Sequence, residues 1–147
     1  MPTDSAPPAA ILETALYASD LDAVEAFYGG ILGLARVTRA GDRHVFFRLD
    51  DAMLLIFNPA ETVHPPPPGA LPVPAHGARG PGHVAFAATL AEIDALRSRL
   101  EAAGVAIEAD FRWPAPDGAP GPRSLYVRDP AGNSVEFAAP RLWGFEE

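Results

Sequence analysis

The sequence predicts an α+β fold in which one structural unit, strand–helix–three strands (βαβββ), occurs twice. Two observations predict it. Short apolar runs, turn residues and one helical stretch follow each other in the same order in both halves of the 147 residues. The halves also align at both ends: ETALYASDL at 13–21 lies over HVAFAATLA at 83–91, and LLIFNP at 54–59 lies over SVEFAAP at 134–140.

The first module is placed at 11–59, within a single domain that takes in 1–147. Its first strand shows the alternation of a half-buried strand, and Ser19 or Asp20 can cap the helix that follows. That helix ends at a cluster of glycines, and a Gly-Asp pair marks the turn between two later strands. The predicted strands lie at 11–18, 35–40, 43–49 and 52–57.

Residues 60–82 form a linker that is crowded with proline and glycine and has no periodicity. Proline cannot donate to a strand ladder, so we expect this segment to be a connection outside the core. The second module, at 83–140, contains a helix that begins with a capping box from Thr89 to Glu92 and ends at Gly104. Its predicted strands lie at 83–88, 105–111, 124–128 and 133–138.

The composition excludes several classes of chemistry. The formal net charge is −8 with a pI of about 4.9, which argues against binding to nucleic acid. The chain has no cysteine and no lysine, since all 11 basic residues are arginine. Disulfides, thiolate nucleophiles and Schiff-base lysines are therefore excluded.

The same composition suggests a setting for the protein. No apolar run reaches the roughly 18 residues that a membrane span requires, and the N-terminus lacks a secretory signal. We therefore expect a cytoplasmic protein without a membrane partner. The bias toward alanine, arginine and proline suggests a bacterial genome rich in G and C.

Three polar residues stand out in strands that otherwise look apolar. Glu13 and His83 occupy the same place in the two modules, and Glu136 aligns with Leu55. Alternation puts Glu136 on the face opposite its apolar neighbours. If Glu13, His83 and Glu136 converge on one sheet face, they offer oxygen and nitrogen ligands to a metal and leave positions open for water or substrate.

The residues alone leave another interpretation open. Glu13 could be solvated at a strand edge. Glu136 could pair with Arg123 or Arg128 across the last hairpin, which would satisfy its charge without a metal.

Three segments carry a resemblance to a known family: ETALYASDLDAVEAFYGGILGL, GPGHVAF and YVRDPAGNSVEF. They resemble the vicinal oxygen chelate superfamily of glyoxalase I, extradiol dioxygenases, fosfomycin-resistance proteins and bleomycin-binding proteins, over residues 11–140. The resemblance implies that both modules form a curved, open mixed-sheet cradle around a divalent metal. It places the ligands on Glu13, His83 and Glu136. A set of one histidine and two carboxylates suits Mn, Fe, Zn or Ni.

The sequence also departs from that family. Its first ligand is often histidine, where this chain has Glu13. Glyoxalase I-like enzymes take a fourth ligand, often a catalytic carboxylate, from the position that is Leu55 here. Either metal-bound carboxylate, Glu13 or Glu136, is then the candidate catalytic base.

Further residues are candidates for contacts with a substrate because they lie on the predicted open faces or in the loops beside them. They are Phe46, Arg48, His76, Trp113, Arg123 and Tyr126. Trp143 and Phe145 form an apolar C-terminal segment that would suit packing on a partner subunit, so we expect a homodimer.

Taken together, these features predict divalent-metal-dependent catalysis, of lyase, isomerase or dioxygenase type, on a small molecule with adjacent oxygens. The alternative is a metal-free protein that binds and sequesters a small molecule such as a drug in the same cradle.

Overall fold

The structure, a computed structural model, describes residues 5–147 and contains two four-stranded mixed sheets. The first has the spatial order β1-β4-β3-β2, with β1 at Glu13–Tyr17, β2 at Ala35–Ala40, β3 at His44–Arg48 and β4 at Met53–Phe57. The second has the order β5-β8-β7-β6, with β5 at His83–Ala87, β6 at Ala109–Arg112, β7 at Arg123–Arg128 and β8 at Ser134–Ala138. In each sheet the first strand is parallel to the last and the other pairs are antiparallel. The predicted fold class, α+β with two open βαβββ sheets, is confirmed.

One helix crosses each sheet. In the first module α1 (Leu21–Glu25) begins at Asp20, whose side chain accepts a hydrogen bond from the Ala23 amide, and continues into a π-helical turn at Ala26–Ile31. In the second module α3 (Leu90–Ala102) begins with the predicted capping box of Thr89 and Glu92. No helix in the described part of the chain is long and apolar enough to cross a membrane.

Both helices pack on the same side of their sheets, and the core is continuous between the modules. In β3, β4, β7 and β8 the alternate residues that face the helices are buried, whereas the other face carries the partly exposed Phe46 and Tyr126 beside the nearly buried Leu55 and Glu136. The buried set includes Val24, Phe27, Val45, Phe47 and Ile56 from the first module and Ile93, Leu100, Leu125, Val127 and Val135 from the second. Each sheet therefore has one face in the core and one open face.

Two elements differ from the sequence prediction. The strand expected at 105–111 begins only at Ala109, because the Val105 amide is still bonded to the Leu100 carbonyl at the end of α3. The linker region also contains a short helix, α2 (Pro59–Thr62), in which Asn58 accepts a hydrogen bond from the Ala60 amide. Asn followed by Pro is a helix-start signal that the sequence did contain.

A buried polar network fixes the modules to each other. Tyr28 donates a 2.7 Å hydrogen bond to Asp129 across the module boundary. The amide side chain of Asn133 donates to Asp129 at 2.9 Å and to the Tyr17 carbonyl at 3.3 Å, and its oxygen accepts from the Gly82 amide at 2.7 Å. The C-terminal end of β1 consequently lies beside the start of β5.

Candidate functional site

The strand registers show that residues at equivalent positions of the two modules lie at equivalent places on the two open sheet faces. Leu55, in the middle of β4, pairs with Phe46 of β3. Glu136, in the middle of β8, pairs with Tyr126 of β7. The alignment of Leu55 with Glu136 therefore holds in three dimensions, and the polar residue lies in the second sheet only.

His83 and Glu136 are brought together on the open face of the second sheet. The distance from His83 Nε2 to Glu136 Oε1 is 3.2 Å, and the Glu136 side chain is only 7% exposed against 51% for His83. The other ring nitrogen, Nδ1, lies 3.1 Å from both the carbonyl and the hydroxyl oxygen of Ser134. The carbonyl oxygen can only accept from Nδ1, whereas the Ser134 hydroxyl can donate to it or accept from it, so these contacts fit either tautomer of the ring. Nε2 faces the carboxylate oxygen, so it can donate a hydrogen bond to Glu136 as N–H or, as the bare nitrogen, share a metal ion with it.

The second carboxylate oxygen of Glu136, Oε2, has a hydrogen-bond donor of its own. Ser124 donates a 2.6 Å hydrogen bond to Glu136 Oε2, and Trp113 Nε1 donates at 2.8 Å to the Ser124 hydroxyl. These two hydrogen bonds fix the orientation of the carboxylate and leave its other oxygen, Oε1, for the contact with His83. Trp113 is a predicted site residue and Ser124 is not, although Ser124 lies two residues before Tyr126 and therefore on the same strand face.

Aromatic rings surround this pair. Tyr126 lies parallel to His83, with ring centroids 6.3 Å apart, and parallel to Phe111 at 5.8 Å. Trp113 meets Phe111 edge-on at 4.9 Å. Burial and the neighbouring Glu136 carboxylate raise the pKa of the Tyr126 hydroxyl, so Tyr126 remains a neutral hydrogen-bond donor.

Glu13 lies apart from this pair within one chain. It starts β1, whereas the neighbour of β5 is the other end of β1, at Tyr17. Four residues of strand at about 3.3 Å each separate Glu13 from Tyr17 by about 13 Å. Within residues 5–147 no three His, Asp or Glu side chains lie close enough to hold one metal ion.

Glu13 instead lines a groove of about 650 Å³ on the open face of the first sheet. Its lining is mainly apolar and aromatic, and part of the linker lies against it. The lining residues are Glu13, Ala15, Tyr17, Arg43, His44, Phe46, Leu55, Phe57 and the linker residues Val73 to His76.

Two histidines in this groove have defined partners. The Tyr17 hydroxyl lies 2.7 Å from His76 Nδ1. Arg43 donates a 2.8 Å hydrogen bond to His44 Nδ1, which must therefore be the unprotonated nitrogen because a guanidinium only donates. Burial and the Arg43 charge lower the pKa of His44, so the ring is neutral. It stacks on Phe46 with centroids 4.1 Å apart.

The two arginines on the predicted substrate list differ in their surroundings. Arg48 ends β3 on the open side and is exposed. Arg123 donates hydrogen bonds to Asp110 of the neighbouring strand β6, at 2.8 Å, and to Asp94 of α3. The interpretation in which Glu136 pairs with Arg123 or Arg128 is wrong, because Arg128 is bound by Glu108 at 2.7 Å and Arg123 by the two aspartates.

The fold and site define the class of protein. Residues 10–137 match the model of the Glyoxalase/Bleomycin resistance protein/Dioxygenase superfamily, and the chain belongs to this family. A search of curated proteins found no match.

Solved structures show the same relationship. The crystal structure of lactoylglutathione lyase from Agrobacterium tumefaciens is 47% identical and has a TM-score of 0.87, with 95% of this chain and 100% of that chain covered. A glyoxalase/bleomycin resistance protein/dioxygenase from Nocardioides is 23% identical with a TM-score of 0.67, over 92% of this chain and 86% of that chain. A putative glyoxalase family protein from Bacillus anthracis is 19% identical with a TM-score of 0.65, over 92% and 98%. The last two show the fold alone.

Proposed function

We propose that this protein is a divalent-metal-dependent enzyme, of lyase, isomerase or dioxygenase type, that acts on a small molecule with two adjacent oxygens. The observation that carries the proposal is the 3.2 Å separation between His83 Nε2 and Glu136 Oε1. Metal bonds from nitrogen and oxygen ligands are about 2.0–2.2 Å long, so two ligands at an angle of roughly 90–110° lie about 2.8–3.6 Å apart. The observed pair fits that requirement.

The surrounding residues also suit a metal. Ser134 orients the His83 ring through Nδ1, and Ser124 with Trp113 orients Glu136 through Oε2. Such partners fix ligating atoms in productive positions. Mn, Fe, Zn or Ni would suit an imidazole and carboxylate set. Once bound, the metal would polarise adjacent substrate oxygens and stabilise negative charge on them.

A third ligand would come from Glu13 of a second copy of the chain. Glu13 is exposed on the open face of the first sheet and far from His83 in its own chain. In a symmetric homodimer, each first sheet can face the second sheet of the other subunit, which would complete two sites at once. The exposed Trp143 and Phe145, at 80% and 69%, are apolar surface that such an interface would cover.

The catalytic base in this arrangement would be a carboxylate of the site. Glu136 is held on both oxygens by His83 and Ser124, which disfavours its detachment. Glu13 is exposed and less constrained, so it is the preferred base, and Tyr126 is placed beside Glu136 to donate a hydrogen bond to a substrate oxygen. The 47% identical lyase from Agrobacterium tumefaciens supports lyase chemistry first, although Leu55 stands at the position of the expected fourth ligand.

Metal content tests the proposal directly. Wild-type protein and the variants His83→Ala, Glu136→Gln and Glu13→Gln are loaded with Mn, Fe, Zn or Ni, dialysed and analysed for bound metal. We expect one metal per chain in the wild type and large losses in all three variants. His64→Ala, at an exposed linker position, is the matched control. Oxygen consumption by iron-loaded protein then separates dioxygenase chemistry from lyase or isomerase chemistry.

A second candidate function has its own supporting observation. Both oxygens of Glu136 have protein partners within hydrogen-bond distance, His83 Nε2 and the Ser124 hydroxyl, so the carboxylate is satisfied without a metal. With the aromatic groove of the first sheet, this suits a metal-free protein that binds a small molecule such as a drug. Wild-type protein that takes up none of the four metals would favour this function over catalysis.

A further inference from the structure

The groove of the first sheet has polar groups at its two ends and an apolar floor between them. Glu13 lies at one end and the Tyr17–His76 pair at the other, about 13 Å away along β1. Leu55 and Phe57 form the floor and are 7% and 8% exposed. A ligand that fills the groove must therefore be elongated, apolar in the middle and polar at both ends.

The Tyr17–His76 pair is fixed in place although His76 comes from the linker. The His76 amide donates to the Thr62 carbonyl at 2.9 Å, and the His76 ring meets Phe57 edge-on with centroids 4.6 Å apart. The next residue, Gly77, packs so closely that a Cβ atom there would lie 2.7 Å from Val63. With Nδ1 bonded to Tyr17, His76 keeps Nε2 for a hydrogen bond to a ligand.

The charges of the lining limit what the ligand can carry. The lining contains one carboxylate, Glu13, and one guanidinium, Arg43. The Arg43 guanidinium is bonded to His44 and lies 6.0 Å over the Phe57 ring, while His44 itself is neutral. A glutathione conjugate brings two carboxylates and an ammonium group, whereas the lining has a single guanidinium and the nearly buried floor has no charged group to pair with them. The groove is therefore better suited to an uncharged body.

We propose that this groove selects substrates with an uncharged apolar body, aromatic or branched aliphatic, and a hydroxyl or carbonyl group at the far end that is bound by the Tyr17–His76 pair. The inference rests on the proposed function, in which the near end of the same substrate carries the adjacent oxygens. His76 and Tyr17 act as determinants of specificity at a distance from the reacting atoms. Glutathione conjugates would be poor ligands.

The test measures binding to metal-free protein by calorimetry. The first probe is 2-hydroxy-1-(4-hydroxyphenyl)ethanone, which has adjacent oxygens at one end and a hydroxyl at the other. The second is 2-hydroxy-1-phenylethanone, which lacks the distal hydroxyl, and the third is S-methylglutathione. We expect the first to bind roughly fivefold more tightly than the second, since one hydrogen bond contributes about 1 kcal/mol, and S-methylglutathione to bind least.

Variants then test whether the Tyr17–His76 pair causes the preference for the first probe over the second. His76→Ala and Tyr17→Phe should bring the ratio of the first two dissociation constants close to one, whereas His64→Ala should keep it. The inference is overturned if the ratio survives in both groove variants, if S-methylglutathione binds most tightly, or if no probe binds. These measurements need no metal, so their failure is separate from a failure of the metal-uptake experiment.

Discussion

Leu55 and Glu136 occupy equivalent positions on the open faces of the two sheets, each in the middle of the strand that pairs with the first strand of its module. Leu55 continues an apolar surface with Phe46, whereas Glu136 is the centre of a polar cluster with His83 and Ser124. The two halves of one repeat thus differ at the centre of their open faces. The second sheet has a buried carboxylate there, and the first sheet has an apolar side chain.

Removal of the Ser124 hydroxyl should weaken metal binding without touching the metal ligands. In Ser124→Ala, Glu136 Oε2 loses its 2.6 Å donor and the carboxylate becomes less well oriented. Loss of such a partner typically lowers metal affinity by about 10–100-fold. Competition with a chromophoric chelator measures the affinity, and Ser98→Ala on the exposed side of α3 is the control. Equal affinity in both variants would contradict the role given to Ser124.

Stability should fall in mildly acidic solution because of His44. Burial and Arg43 hold its folded pKa below the ordinary value, which is about 6.5 in unfolded chains. The stabilising contribution of the neutral ring is complete above about pH 6.5 and is lost as the pH falls through the folded pKa. Urea unfolding between about pH 5 and pH 8 should show this slope in the wild type, a smaller slope in His44→Gln and an unchanged slope in His64→Gln. If the dependence of stability on pH is unchanged in His44→Gln, another titrating group is responsible for it.

Tyr28→Phe should destabilise the whole fold. The Tyr28 side chain is fully buried and its hydroxyl is bonded to Asp129, which is 4% exposed. Hydrogen bonds to charged groups contribute about 1.5–3 kcal/mol, and the free energy of unfolding should fall by that amount. Chemical denaturation measures it. Tyr126→Phe, at a half-buried site, should cost clearly less, and equal costs would argue against the importance of the Tyr28–Asp129 bond.

Asp110 should contribute to acid resistance. Hydrogen bonds from Arg123 and then Arg97 lower its pKa to about 2, against the opposing effect of burial. The contribution of ionised Asp110 to the free energy of unfolding is complete above its unfolded pKa of about 3.9. It is lost as the pH falls toward the pKa of Asp110 in the folded protein. Asp110→Asn should lower the free energy of unfolding at neutral pH by roughly 1.5–3 kcal/mol. The free energy of unfolding should also depend less on pH in acid solution. Asp117→Asn, in an exposed loop, should do neither.

The repeat and the pairing of His83 with Glu136 could be predicted because both depend on local pattern. Alternation in each strand fixes which face a residue occupies, and in a βαβββ module the first strand lies beside the last. The position of Glu13 relative to that pair could not be predicted. It depends on how the modules meet, which is determined by Tyr28, Asp129 and Asn133, and no local pattern in the sequence shows that these distant residues will be bonded.

The contacts that loop residues make could not be predicted from the sequence either. Trp113 could be named as a candidate, but its hydrogen bond to Ser124 depends on a loop that returns beside β7. His76 lies close to His83 in the sequence, but in the structure it contacts Tyr17 of the first module. Proline and glycine in the linker predict a connection but not its path.

The bond between Tyr28 and Asp129 joins residues 101 positions apart, and this separation bears on how the chain folds. Within each module most strand pairs are close in sequence, so each half can form early, while contacts between distant residues form late because closing a long loop costs entropy. Docking of the two halves is then the last step. A chain cut inside the linker would keep every residue of that docking surface, so two separately produced halves should be able to reassemble into the native fold.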